Sequence, residues 1–119
     1  LLDYNTKDGI DCVVEHQKVP KYIEIKGLMK KEVNHPFRHI FKFICYDLDF
    51  SSNEIVEDIE EFKTILRVNI DDRFPSFDER FKNKRYTSYQ LVPDSASITS
   101  MEIIKLKDIL TEVLGATII

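Results

Sequence analysis

Two acids and a lysine near the start of the chain have the residue types and spacing of a hydrolytic metal site: Asp11, Glu24 and Lys26. A hard cation such as Mg²⁺ takes oxygen ligands and needs few protein carboxylates. Acids on two neighbouring strands can hold one, and the Ile25 carbonyl between Glu24 and Lys26 adds a ligand. A lysine two residues beyond the second acid stands on the same strand face. There it orients an attacking water or meets the negative charge that develops on a phosphoryl group. The competing reading makes all three ordinary solvent-face residues of a hairpin. The spacing alone leaves both open.

These residues need a hairpin to position them, and the surrounding sequence predicts one. Residues 10–15, "IDCVVE", read as a strand, and residues 22–28, "YIEIKGL", alternate with Ile23 and Ile25 on one face and Tyr22, Glu24 and Lys26 on the other. The segment "HQKVP" at 16–20 is expected as the connecting loop, with Pro20 stopping the strand pattern. "NHPFRHI" then predicts a short helix capped by Asn34, with Pro36 at an early position where its missing N–H does no harm. "FKFICYDL" at 41–48 is the clearest buried strand. Farther on, "KTILRVN" and "SYQLV" read as strands, and residues 71–87 read as a long surface loop with a helical turn. Leu106, Ile109, Leu110, Val113 and Leu114 fall at helical spacing before a Gly115 stop, while "MEII" fits a strand or that same helix.

A chain of 119 residues with 43% hydrophobic and 32% charged side chains fits one globular domain, residues 1–119, rather than a disordered segment. No apolar run approaches the roughly 18 residues a bilayer span needs, so no membrane partner is expected. The start "LLDYNTKDG" has neither Met nor a signal peptide, and reads as a piece excised from a longer protein. Cys12 and Cys45 both sit in apolar runs, as expected of reduced thiols in an intracellular protein, cytoplasmic or nuclear.

The net charge of −4 argues against a generic basic nucleic-acid binder. The distribution is uneven, however. Lys26, Lys30, Lys31, Arg38 and Lys42 cluster against Glu32 alone, with His35 and His39 nearby, and "RFKNKR" at 80–85 forms a second basic cluster. Lys30, Lys31, His35 and Arg38 are the candidate phosphate contacts, the last two because a helix start with basic groups favours anions. Against this, His35 as a cap and Arg38 as a surface ion-pair partner would serve structure alone.

"GID" opening one strand and "YIEIKG" on the next resemble the core of the PD-(D/E)xK nuclease superfamily, the fold of many restriction endonucleases. The resemblance covers residues 8–49. It implies an α/β fold, a mixed β-sheet flanked by helices, with a restriction-endonuclease-like core shortened at its N-terminus. It also implies metal-binding acids at Asp11 and Glu24, a catalytic Lys26, Mg or Mn as cofactor, and hydrolysis of nucleic-acid phosphodiesters, DNA foremost. Ile10 stands where the motif's name puts a proline, and the helix before the "FKFICYDL" strand is short. The second expectation is therefore a catalytically inactive module of this fold, serving protein or nucleic-acid interaction beside other domains of a parent protein.

A zinc site has enough ligands in Cys12, His16, His35, His39 and Cys45, but no Cys-x-x-Cys pair. No nucleophile elbow and no glycine-rich phosphate loop occur. Tyr46, Phe50, Phe74, Phe77 and Tyr86 read as core or loop anchors rather than base-stacking platforms.

Overall fold

Alternating Ile and Val build the first hairpin as expected, but its turn is tighter. The computed structural model describes residues 3–5 and 10–117, with side chains from Cys12 onward except His16. Strand β1 (Asp3–Asn5) pairs antiparallel with β2 (Ile10–His16), which pairs antiparallel with β3 (Val19–Met29). Only Gln17 and Lys18 form the turn, both at positive φ (53° and 66°). That geometry matches the twist of the flanking strands. Pro20 does not stop β3; it lies opposite Glu15, before β3 meets its second neighbour at Tyr22. A missing N–H on that open side removes no ladder bond.

Where a helix is expected at 34–40, a single 3-10 turn, Phe37–His39, forms instead, capped by Pro36 rather than Asn34. Tertiary contacts decide this. The Phe37 side chain is buried and its N–H donates to Asp58 Oδ2 at 2.8 Å. The same carboxylate accepts the N–H groups of Glu60 and Phe62, each at 2.9 Å. A chain pinned there has no room for another helical turn before β5 (Ile40–Leu48).

The remaining strands are β4 (Glu32–Val33), β6 (Ile55–Asp58), β7 (Lys63–Arg73), β8 (Arg85–Pro93) and β9 (Met101–Lys105). Among the described residues all nine strands join one sheet, in the order β1-β2-β3-β5-β9-β8-β7-β6-β4. The β3–β5, β5–β9 and β4–β6 pairs are parallel and the others antiparallel. Because β4 follows β3 after only Lys30 and Lys31 yet pairs with β6 at the far end, the sheet must curl into a half-barrel.

Directly opposed residues share a sheet face. The rows Phe43–Ile103–Tyr89 and Met101–Leu91–Leu66 therefore line the concave side, where all six are buried. Phe37, Val56 and Met29 complete that core.

The expected C-terminal helix shrinks to one α-turn, α1 (Leu106–Asp108), continued by a π-helical turn, Ile109–Val113, and ended by Gly115 at φ 69°. "MEII" belongs to β9. Strands take 52% of the chain and helices 10%, which overturns the expected α/β class, its mixed sheet flanked by helices and its restriction-endonuclease-like core. The physical reason is that concave curling buries one face of the sheet against itself, so no flanking helix is needed to build the core. No helix among the described residues is long and apolar enough to cross a membrane.

Candidate functional site

Glu24 lies in the middle of β3, opposite buried Phe43 of β5 and, in backbone register, opposite Asp11 of β2. The parity that puts Phe43 in the core carries Glu24 to the concave side, where its side chain is 1% exposed. A carboxylate buried this deeply stays charged only when cations face it. Lys26 Nζ faces it 3.7 Å from Oε2, and the His35 imidazole Nε2 lies 3.2 Å from Oε1.

Lys26 arrives by period-2 alternation along β3. His35 arrives from the segment that leads β4 back across the concave face, and its ring stacks on Tyr22 with centroids 6.0 Å apart. Tyr22, Glu24, Lys26 and His35 thus form one cluster, with the acid at the bottom and the ammonium and imidazole on the solvent side, 26% and 35% exposed. Beside it opens a cavity of about 350 Å³ lined by Lys26, Lys30, Asn34 and Phe43 among others.

The predicted site residues divide accordingly. Glu24, Lys26 and His35 come together, and Lys30 lines the adjoining cavity. Ile25 sits between Ile10 of β2 and Ile44 of β5 in the ladder. The side chain of Asp11 lies outside the described residues, as does that of His16. Lys31 is exposed at the β3–β4 break, where its carbonyl accepts Glu57 N–H at 2.9 Å. Arg38 turns away to Glu60 in a bidentate pair at 3.0 and 3.1 Å. That pair holds the Glu60 carboxyl below its ordinary range and raises the guanidinium further.

A second ion cluster on the same side of the sheet was not anticipated. Lys26, Cys45 and Lys105 are opposite one another across β3, β5 and β9. Lys105 Nζ lies 3.5 Å from Asp47 Oδ1, 3.5 Å from Asp108 Oδ1, and donates to the Tyr89 hydroxyl at 3.5 Å. The Tyr89 hydroxyl in turn donates to Asp108 Oδ2. Burial, then Asp108, pushes the Tyr89 hydroxyl up, and burial pushes the Cys45 thiol up to about 12. The Leu48 N–H, with help from Lys107 and Lys105, holds the Asp47 carboxyl below its usual range. Nothing in one dimension announces this cluster beyond the shared parity of residues 45 and 47 on β5.

For a divalent cation, the donor chemistry at Glu24 fits: a carboxylate, with an acid at the opposed backbone position and an imidazole in reach. Among the described residues, no three of His, Cys, Asp and Glu converge; the His16 side chain of the five-residue zinc set lies outside them. No protein-family model, no curated protein and no solved structure matches the chain.

Proposed function

We propose that the Glu24 site binds Mg²⁺ or Mn²⁺ and hydrolyses phosphodiesters of nucleic acid. The single observation carrying this reading is the Asp11–Glu24 register on adjacent strands, with Lys26 3.7 Å from the Glu24 carboxylate on the same face. Glu24 and Asp11 would hold the cation, which supplies a Lewis acid and a more acidic bound water. Lys26, with three N–H donors on a flexible stem, then faces the phosphoryl oxygens from the solvent side. His35, stacked on Tyr22, holds the outer Glu24 oxygen in place. The adjoining cavity with Lys30 admits a phosphate. The proposal rests on the site and not on a nuclease-type fold. Two free thiols suit an intracellular setting for such a domain.

A second reading, a non-catalytic interaction module within a larger protein, is favoured by one fact. The Glu24 carboxylate is already closed off and faced by the Lys26 ammonium and the His35 imidazole. Incubation with single- and double-stranded DNA and with RNA, plus Mg²⁺ or Mn²⁺, separates the two. Cleavage that disappears in both Glu24→Gln and Lys26→Ala supports hydrolysis. Absence of cleavage together with absence of calorimetric Mn²⁺ binding leaves the interaction module standing.

A further inference from the structure

The stretch between β7 and β8, residues 74–84, holds out a side chain that the core does not use. Phe77 is fully exposed at 106%, whereas a large apolar side chain is ordinarily stabilised by burial. The other aromatics of the region behave as anchors. Phe74 meets Tyr86 edge-on at 5.4 Å, and Phe50 is buried. Phe77 departs furthest from the expected anchoring role, beyond Tyr46 of β5 at 39% exposure.

The loop is also built rather than slack. Phe74 N–H donates to the Lys84 carbonyl at 2.9 Å, closing its base, and Phe81 N–H and Lys84 N–H close inner turns onto Asp78 and Phe81, each at 3.0 Å. Ser76 Oγ caps Asp78 N–H at 3.0 Å. An ordered loop with its one apolar tip in water is arranged for a partner.

Charge identifies the kind of partner. Residues 73–85, "RFPSFDERFKNKR", carry five basic residues against two acids in a chain of net charge −4. Arg80 and Lys82 are occupied by Asp78 and Glu79. Arg73 contacts Asn83, and Arg85 donates to the Asp71 carbonyl. Arg73, Lys84 and Arg85 thus keep their charge without a carboxylate partner among the described residues. An exposed aromatic at the tip of the loop, with uncompensated cations at its base, has the two components of single-strand recognition, base stacking and phosphate neutralisation. A purely apolar protein pocket would leave those cations without a role.

We propose that the 74–84 loop binds single-stranded nucleic acid, with one base stacking on Phe77 and phosphates meeting Arg73, Lys84 and Arg85. The surface is distinct from the Glu24 site. Its root on β8 is three strands from β3, about 14 Å at the usual strand spacing, and it needs no cation.

Fluorescence anisotropy of labelled oligo-dT and oligo-U of about 15 nucleotides, in EDTA and low salt, tests this with the whole chain. Binding is expected, weakened about 5- to 150-fold by Phe77→Ala and Phe77→Leu and retained by Phe77→Trp. Lys84→Gln lowers the slope of log affinity against log salt by about 0.7. Unchanged thermal midpoints show that these exposed substitutions leave the fold intact. EDTA removes the cation that cleavage would need, so a failure of cleavage does not touch this result. No binding, or binding that Phe77→Ala leaves unchanged, overturns the proposal. So does full retention by Phe77→Leu, which reassigns the tip to an apolar protein or membrane surface.

Discussion

Two ion clusters share one side of the sheet and are inverted copies in charge. In the first, an anion lies at the bottom: Glu24 is 1% exposed and the Lys26 cation and the His35 imidazole stand outside it. In the second, a cation lies in the middle: Lys105 is 18% exposed between Asp47 at 32% and Asp108 at 17%. The difference is one of solvent access. Water can replace a lost partner in the second cluster, but cannot reach the Glu24 oxygens in the first. Breaking a buried pair leaves a charge uncompensated, whereas breaking a half-solvated one forfeits only the surplus over hydration.

The sharpest way to break the contrast is Lys26→Met. It should lower stability in urea unfolding by about 3–5 kcal/mol, with most of the loss recovered when Glu24→Leu is added. A single-variant loss no greater than that of Lys105→Met would erase the distinction. Lys105→Met comes next, at about 1–2 kcal/mol, because hydrogen bonds to a charged group are lost where water partly substitutes.

Acid titration probes the second cluster on its own. The folded Asp47 carboxyl lies below its unfolded value, so its stabilisation is complete above about pH 4 and is lost as pH falls through the folded pKa. Asp47→Asn should flatten that acid limb of the stability profile.

Cys45 gives the opposite sign. Its thiol is raised to about 12, so its contribution is complete below the unfolded thiol value of about 8.5 and fades as pH climbs toward the folded one. At pH 8 a thiol reagent should modify half-buried Cys12 and leave Cys45, 1% exposed, unmodified until the chain unfolds. Equal rates for the two would show that the concave side opens to solvent. The smallest effect is expected at the fully exposed Arg38–Glu60 pair. Arg38→Ala should leave the thermal midpoint within experimental scatter at 0.5 M salt or so, where such pairs are screened.

Local pattern made the hairpin legible because two signals agreed there: Ile23 and Ile25 alternate with Tyr22, Glu24 and Lys26, and turn residues interrupt at 16–20. The same alternation put Glu24 and Lys26 together. The helices misled because their signals were weak against long-range packing. Asn34 and Pro36 propose a cap, yet Asp58 claims the Phe37 N–H and the turn stops. The C-terminal apolar spacing survives only as α1 and its π-helical continuation, with Val113 buried and Glu112 accepting from Thr87 of β8. His35 was foreseen as a group that meets phosphate, but its position at 3.2 Å from Glu24 depends on a chain crossing from β4. No spacing between residues 24 and 35 encodes that crossing.

By itself the sequence marked the strands at 10–15, 22–28 and 41–48 and those in "KTILRVN" and "SYQLV", with the residues that share a face along 22–28, since both follow from steric preference and a period of two along the backbone; β1, β4 and β6 went unread. It also placed an acid and a lysine on one face of β3. Only the tertiary structure decided that this face is the concave one, that the sheet curls until β4, close after β3 in the chain, lies at its far edge, and that Phe77 is left outside. Those outcomes depend on pairings such as β5 with β9 and β4 with β6, between segments far apart in the chain. Their stability comes from burying Phe43, Ile103, Leu91 and Leu66 together, a free energy no short stretch of sequence carries.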